Sequence, residues 1–198
     1  MESIYSEGYL EIAIGPMFSG KTSWLLEIFS QHTFCDKKVT VINHSEDNRY
    51  HEDMLSTHDK KMIPCIKTNT FVKDDSNKDI FDKSLSSDVV LINEGQFFEG
   101  LYDFVMLLLE NKKIVYVSGL DGDFNRKKFG ELIELIPMCD KVHKLRSLCG
   151  ICKNGTRAIF SKRLIESTEQ KVIGNDIYVP VCRKCYNTQD MPYMCKLV

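Results

Sequence analysis

The chain has 198 residues, 43% of them hydrophobic, and a formal net charge of −2. This length allows one complete α/β domain with a small accessory module, and it excludes two ordinary domains. The near-neutral charge gives no reason to expect nucleic acid or an anionic membrane as a partner, and no apolar stretch approaches the roughly 18 residues of a membrane span. Since two acidic residues and no basic one precede the first short apolar run, we expect no signal peptide and a cytoplasmic location.

The first predicted elements are a buried strand and a helix, separated by a glycine-containing loop. The strand spans Tyr9 to Ile14, an apolar run that ends at Gly15. The helix spans Lys21 to Phe34, where apolar side chains recur at helical spacing. The loop fits the pattern G-x-x-x-x-G-K-[ST], and it consists of Gly15, Pro16, Met17, Phe18, Ser19, Gly20, Lys21 and Thr22.

This loop has the residue types that bind a nucleoside triphosphate. Its glycines let successive backbone N–H groups face the phosphates, and the following helix adds partial positive charge. Lys21 can reach the β- and γ-phosphates, and the Thr22 hydroxyl can ligate Mg²⁺. The alternative is a glycine-containing turn that binds nothing, but the strand–loop–helix context favours ATP with Mg²⁺ as the cofactor.

The middle of the chain alternates predicted strands with helices and loops. The expected segments are a strand Val39 to Asn43, a polar loop Ser45 to Lys61, a short strand Met62 to Ile66, an exposed loop or weak helix Lys73 to Lys83, a strand Val89 to Ile92, a helix Leu101 to Leu109, a strand Ile114 to Val117, a helix Lys128 to Ile136 stopped by Pro137, and a strand Val142 to Leu145. Strands that alternate with helices imply right-handed crossovers and a mostly parallel sheet. We therefore predict a P-loop (RecA-like) α/β fold with helices flanking the sheet.

An acidic residue follows the most uniformly apolar of these strands. Glu94 comes directly after the strand Val89 to Ile92, at the sheet edge that faces the phosphate loop. A carboxylate there can accept a proton from a substrate hydroxyl as it attacks the γ-phosphorus. A solvated glutamate at a strand end is the alternative, and the phosphate loop favours the catalytic interpretation.

Four of the eight cysteines form two C-x-x-C pairs, Cys149 with Cys152 and Cys182 with Cys185. Four thiolates in two turns are typical of a structural zinc site with a closed coordination sphere. A redox dithiol is the alternative. We predict two domains, a nucleotide-binding domain of residues 1–148 and a zinc-binding domain of residues 149–198, with a lasso loop from Lys153 to Val181 held at both ends by the metal.

Four motifs together resemble a known family. They are GPMFSGKT at Gly15, NEGQFF at Asn93, LDGDFNRKKFG at Leu120 and VCRKC at Val181. Their order and spacing resemble the cytosolic and viral thymidine kinases that carry a zinc-binding lasso domain. The resemblance extends from about Leu10 to Tyr186.

The resemblance implies an activity and a set of site residues. Such enzymes transfer the γ-phosphate of ATP to the 5′-hydroxyl of thymidine or deoxyuridine in deoxynucleotide salvage. It implies Glu94 as the general base, with Lys21, Asn93 and Gln96 at the nucleotide. The positions that match nucleoside-binding residues are Met17, Phe97, Leu120, Phe124, Phe129, Ser161, Gln170, Lys171, Val172, Ile173, Gly174 and Tyr178. Among these, Phe124 and Tyr178 match the aromatic residues that flank the thymine ring. A homotetramer and feedback binding of thymidine triphosphate (dTTP) are also implied.

One departure concerns the metal. Where the family usually has Asp-Glu, this chain has Asn93-Glu94. Asparagine can hydrogen-bond a metal-bound water but brings no negative charge, so we expect weaker Mg²⁺ binding or slower turnover. Arg49 matches a family arginine and is a candidate to stabilise phosphate charge; a solvated loop arginine is the alternative.

Two other functional classes remain open from the sequence. The first is a regulatory nucleotide-binding protein that lost catalysis through the Asn93 change. The second is a P-loop ATPase whose zinc ribbon contacts nucleic acid, and the near-neutral charge disfavours it.

Overall fold

A computed structural model describes residues 7–45, 54–56, 61–75, 77–172, 174 and 177–188. Its first part contains β1 Tyr9–Ile14, α1 Lys21–Phe34, β2 Val39–His44, β3 Met54–Ser56, β4 Met62–Pro64, β5 Ile66–Thr68, α2 Lys78–Leu85, β6 Val89–Ile92, α3 Leu101–Glu110, β7 Ile114–Gly119 and β8 Lys141–Lys144, with 3-10 helices at Gly95–Phe97 and Leu132–Met138. The C-terminal module, residues 147–188, contains β9 Ser147–Leu148, β10 Arg157–Ala158, β11 Phe160–Arg163, β12 Tyr178–Val181 and α4 Arg183–Asn187.

The central element is a parallel sheet whose strands follow the order β5-β2-β6-β7-β1-β8. The predicted α/β fold with a mostly parallel sheet is therefore confirmed. Strands β6 and β7 lie in the middle of the sheet and are buried along their whole length, as the uniformly apolar sequence of β6 indicates.

Alternate residues of β6 pack into two separate cores. Val90 and Ile92 pack with α2, α3 and the second 3-10 helix on one face of the sheet. Val89 and Leu91 pack on the other face with α1 and the β3–β4 pair. The strand is thus fixed from both sides, and the position of the residues that follow it is fixed as well.

The C-terminal module is held by a small core rich in cysteine. Strand β9 pairs antiparallel with β10, and β11 pairs antiparallel with β12. The buried residues of this core are Cys149, Ala158, Val179, Val181, Cys182 and Cys185. So few apolar side chains give little hydrophobic stabilisation without a metal or other cross-link.

Two predicted segments differ from the structure. The loop predicted from Ser45 to Lys61 is wrong at 54–56, which form β3 and pair with β4; residues 46–53 and 57–60 lie outside the described part of the chain. The single strand predicted from Met62 to Ile66 is wrong, because this range holds the whole of β4 and the first residue of β5. Strand β4 pairs with β3, whereas β5 joins the parallel sheet beside β2.

The helix predicted from Lys128 to Ile136 is also wrong. The structure has a 3-10 helix from Leu132 to Met138, with Pro137 inside it. Gly130 has left-handed backbone, with φ 61°, and the Asp123 carboxylate accepts hydrogen bonds from the N–H groups of Asn125 and Lys127. The left-handed backbone at Gly130 is incompatible with an α-helix that continues from Lys128. In the charged stretch predicted from Lys73 to Lys83, by contrast, the residues from Lys78 onward form the helix α2, one of the two predicted outcomes.

None of the helices in the described ranges has the length and apolar character that crossing a membrane requires.

The buried centre of the sheet gives a direct stability prediction. We expect Leu91→Ala to lower the free energy of unfolding by about 2–5 kcal/mol, because Leu91 is fully buried and alanine leaves a cavity. Urea denaturation at fixed protein concentration with zinc present measures this loss. Leu148→Ala is the matched control, since 56% of the Leu148 surface is exposed, and its effect should stay within about 0.5 kcal/mol. Equal losses for both variants would contradict this assignment of the core.

Candidate functional site

The predicted phosphate loop connects the carboxyl end of β1 to the first turn of α1. A Cβ atom at Gly15 would lie 2.5 Å from the Leu145 carbonyl oxygen, and Gly20 has a left-handed φ of 84°, so both positions require glycine. Lys21 is 7% exposed. Its ammonium group donates hydrogen bonds to the carbonyl oxygens of Pro16 at 2.7 Å and Gly15 at 3.3 Å. The loop therefore carries a buried cation beside backbone N–H groups at a helix N-terminus, a combination that suits phosphate.

Glu94 lies at the carboxyl end of β6 with unusual backbone. Its φ of 55° and ψ of 42° are left-handed, a conformation that costs a non-glycine residue on the order of 1–3 kcal/mol and occurs frequently at functional sites. Its side chain is half-buried. The Gln96 amide donates a hydrogen bond of 2.7 Å to the Glu94 carboxylate and orients it. A carboxylate held in this way can act as a proton acceptor.

Gln96 links this carboxylate to the end of β7. The buried Gln96 side chain accepts a 2.8 Å hydrogen bond from the Leu120 N–H. Its approach requires two glycines: a Cβ at Gly119 would lie 2.3 Å from Gln96 Oε1, and a Cβ at Gly130 would lie 2.1 Å from the Gln96 carbonyl oxygen. The two glycines are thus part of the site's framework, a role that the sequence pattern did not indicate.

Asn93 is enclosed by two neighbouring strands. It is 1% exposed. Its amide nitrogen donates to Asn43 Oδ1 at 3.0 Å, and its Oδ1 accepts a 3.0 Å bond from the Ser118 hydroxyl. Both ends of the amide thus have protein partners, so Asn93 ties the ends of β2, β6 and β7 together. Its contact with a metal-bound water stays a prediction, and Arg49 lies outside the described residues.

Two of the predicted nucleoside-binding aromatic residues form one wall beside Glu94. The Phe97 and Phe129 rings pack edge to face with centroids 5.4 Å apart. The Lys171 ammonium lies 4.8 Å above the Phe97 ring, and the His44 ring is 5.5 Å from it. The wall thus combines an apolar surface with one cation at its edge.

Phe124 and Tyr178 meet through a residue that the sequence interpretation missed. The Arg163 guanidinium lies 3.7 Å from the centroid of the Phe124 ring and donates a 2.7 Å hydrogen bond to the Tyr178 hydroxyl. The available signal was the alternation of β11, in which Ser161 and Arg163 are both buried and therefore share a face. Ser161 is a predicted site residue, so Arg163 on the same face could have been predicted as a site residue as well.

The C-terminal module contacts the phosphate loop and the segment after β7. The Met17 N–H donates to the Ser161 hydroxyl at 2.9 Å, and the Gln170 amide donates to the Asp123 carboxylate at 2.8 Å. The predicted nucleoside-binding residues come from both parts of the chain, so these contacts bring the two groups together. Ile173 is outside the described residues.

The four paired cysteines form one cluster. Their Sγ atoms lie within 4.8 Å of one another, and three of the four residues are buried. Cys152 Sγ and Cys182 Sγ are 3.9 Å apart, close to the about 3.8 Å that tetrahedral coordination with Zn–S bonds of about 2.3 Å requires. The donor set and its geometry therefore fit a structural zinc ion.

The cluster resists ionising all its thiols without a cation. Burial disfavours the Cys149 thiolate, but hydrogen bonds from the N–H groups of Cys152, Cys182 and Ile151 outweigh it and lower the Cys149 pKa to about 6. Burial and the neighbouring thiols raise the Cys185 pKa to about 12. A bound zinc ion would supply the positive charge that stabilises four thiolates together.

Comparisons with known proteins agree on one family. A family model described as "Thymidine kinase" matches residues 8–186. The chain is 39% identical over 184 residues to a thymidine kinase of Oryza sativa subsp. japonica, covering 90% of this chain and 66% of that protein. It is 36% identical over 186 residues to thymidine kinase 1 of Dictyostelium discoideum, covering 91% and 78%. It is 39% identical over 180 residues to the thymidine kinase of vaccinia virus strain Western Reserve, covering 90% and 97%. The chain thus spans just under two thirds of the rice protein and nearly all of the viral one.

The close approach of Gly130 to Gln96 predicts a large effect of a small substitution. Alanine in left-handed backbone costs about 1–2 kcal/mol, and in Gly130→Ala the added methyl group also meets the Gln96 carbonyl. Gly155→Ala is the matched control, because Gly155 has a φ of 87° with no atom near its Cβ position. We expect Gly130→Ala to lose at least about 1 kcal/mol more than Gly155→Ala in urea denaturation. The same loss in both would show that the backbone at Gln96 yields freely.

The cysteine cluster predicts the metal content of the protein. We expect one zinc ion per chain by atomic absorption, and we expect Cys149→Ser to lose most of it, because a structural site needs all four ligands. Cys35→Ser should keep the wild-type zinc content, since Cys35 is exposed and outside the cluster. Full zinc in Cys149→Ser would exclude this cluster as the metal site.

Proposed function

The chain belongs to the thymidine kinase family, and we propose that it transfers the γ-phosphate of ATP to the 5′-hydroxyl of thymidine or deoxyuridine, in cytoplasmic deoxynucleotide salvage. Phosphoryl transfer of this kind depends on positioning and charge stabilisation rather than on covalent chemistry by the protein. The proposal therefore assigns each residue a role in holding, orienting or deprotonating a substrate.

The proposal rests on the shared position of Glu94 and the phosphate loop in the sheet. The Glu94 carboxylate follows β6, and the phosphate loop follows β1, at the same edge of the parallel sheet. Strand β7 lies between them, and its end is bonded to the Glu94 partner Gln96 through the Leu120 N–H. A nucleoside hydroxyl between the loop and Glu94 has a proton acceptor on one side and the γ-phosphate on the other.

The nucleotide side of the mechanism uses the phosphate loop. Backbone N–H groups of the loop between Phe18 and Thr22 bind the phosphates, and Lys21 exchanges its loop carbonyls for β- and γ-phosphate oxygens. The Thr22 hydroxyl would hold the Mg²⁺ that accompanies ATP, and a bound ion would supply positive charge against the phosphates. Asn93 is neutral and adds no negative charge near the metal. We therefore expect weaker Mg²⁺ binding than an aspartate at this position would give.

The nucleoside side uses residues from both parts of the chain. The base lies among Phe124, Tyr178 and the Phe97–Phe129 wall, whose flat rings suit a pyrimidine. Residues 164–172 of the β11–β12 connection cover it and exclude water, so that the γ-phosphate reaches the 5′-hydroxyl rather than a water molecule. Glu94 accepts the proton of that hydroxyl.

The proposal also covers the domains, the structural metal and the assembly of the protein. Residues 1–148 act as the nucleotide-binding domain, and residues 149–198 act as the zinc-binding domain. Zinc in the four-cysteine site is structural, because four protein ligands leave no open coordination position. Assembly as a homotetramer and feedback binding of dTTP belong to the proposal through the motif resemblance.

The role of Glu94 predicts a specific kinetic defect. We expect Glu94→Gln to lower kcat for thymidine monophosphate formation by about 10²–10⁴, because the amide cannot accept the hydroxyl proton. Thymidine affinity, measured by calorimetry, should change little. The control is Glu99→Gln, an exposed glutamate on the same segment, which should keep wild-type kcat.

Two results would contradict the proposal. A wild-type rate in Glu94→Gln would remove the base assignment. A wild-type protein that binds thymidine but forms no product with ATP and Mg²⁺ would indicate a regulatory binding protein instead.

A further inference from the structure

Arg163 is a buried cation beside the proposed nucleoside site. It lies at the end of β11 and is 8% exposed. Its guanidinium donates five hydrogen bonds to four oxygen atoms. The acceptors are the Tyr178 hydroxyl at 3.1 and 2.7 Å and the carbonyl oxygens of Ser167 at 3.3 Å, Glu169 at 2.6 Å and Gln170 at 3.0 Å.

These partners do not neutralise its charge. In the described ranges the hydrogen-bond acceptors of Arg163 are one hydroxyl and three carbonyl groups. Burial of a cation without a carboxylate partner is costly, and here carbonyl dipoles and the face of the Phe124 ring, 3.7 Å away, offset the cost. A methionine or leucine would fill the same space without that cost. The charged guanidinium therefore has a role in positioning the groups that surround it.

The same contacts reach three parts of the proposed nucleoside site. The guanidinium packs on Phe124, which follows β7. It also bonds Tyr178 on β12, and the Tyr178 hydroxyl in turn donates to the Val172 carbonyl at 3.0 Å. Arg163 thus binds the backbone after β11 at three carbonyl groups directly and at the Val172 carbonyl through Tyr178.

We propose that Arg163 is the positioning residue of the nucleoside site, which holds the Phe124 and Tyr178 rings at a fixed spacing and fixes residues 167–172 of the β11–β12 connection over the base. This inference rests on the proposed function, because it takes Phe124 and Tyr178 as the residues that flank the base. A connection ordered before the nucleoside arrives avoids the entropy cost of ordering it on binding. Arg163 therefore acts on nucleoside affinity and leaves ATP binding to the phosphate loop.

Arginine is needed here for its shape as well as its charge. The planar guanidinium has donors on several sides, and it bonds Tyr178 on one side while it reaches the Glu169 and Gln170 carbonyls on another. A lysine ammonium is a single point of charge with three donors and cannot span these acceptors. Lysine at this position should therefore restore only part of the effect.

The test compares Arg163→Met and Arg163→Lys with the zinc-loaded wild-type protein. In the absence of ligands, hydrogen–deuterium exchange of peptides covering residues 164–172 should accelerate by at least about tenfold in Arg163→Met, because hydrogen bonds from a charged donor are lost. Arg163→Lys should fall between the two. The control is Arg157→Met, which removes an exposed arginine of the same module and should leave this exchange unchanged.

Kinetics separate positioning from general support of the fold. We expect the KM for thymidine to rise by about tenfold or more in Arg163→Met, with the KM for ATP and kcat within about threefold of wild type. Unchanged exchange at residues 164–172 would overturn the inference, and so would equal increases in both KM values. If Arg163→Met fails to fold, Arg163→Lys decides by the same two criteria. A wild-type protein without kinase activity would refute the proposed function, and the exchange experiment would still decide the role of Arg163.

Discussion

The parallel direction of the central strands is the constraint on which the rest of the site depends. Because β1, β6 and β7 run the same way, their carboxyl ends meet at one edge of the sheet. The register places Ile14 beside Gly119 and Ile92 beside Val117, so the phosphate loop, Glu94 and Leu120 begin within a few residues of one another. Both faces of β6 are packed against helices, and this packing gives Glu94 a rigid support for its left-handed backbone.

The C-terminal module contacts the segments that follow β1 and β7 at the sheet edge. The cysteine cluster holds the loop after β9 against the start of α4, and α4 carries Tyr186, whose hydroxyl donates a 2.6 Å bond to the Phe124 carbonyl. Ser161 and Gln170 reach the phosphate loop and Asp123. The metal site is therefore connected through a few hydrogen bonds to the proposed base-binding residues. A zinc ion bound there would stabilise the module and, through Tyr186, the position of Phe124.

Sequence patterns predicted the parts of this molecule that local physics determines. The bounds of β1 and α1 follow from an apolar run and a helical period, and the cysteine spacing predicted a cluster that the structure contains. The 3-10 helix at Leu132 was not predictable from periodicity, because the Asp123 side chain and the left-handed Gly130 decide where the preceding turn ends. Arg163 was missed because its importance depends on Phe124 and Tyr178, which come from segments far apart in the sequence. Local signals identify elements and motifs, but contacts between distant segments bring the proposed nucleoside-binding residues together.

In the proposed mechanism the sheet edge binds the nucleotide, and the C-terminal module completes the nucleoside site when its four cysteines hold zinc. The most direct measurement is calorimetric titration of thymidine and of Mg²⁺–ADP into zinc-loaded and zinc-stripped protein. We expect zinc removal to weaken thymidine binding by at least about tenfold and to leave the ADP affinity within about threefold of that of the zinc-loaded protein. Thymidine binding that survives zinc removal, or the parallel loss of both ligands, would contradict this division of the site.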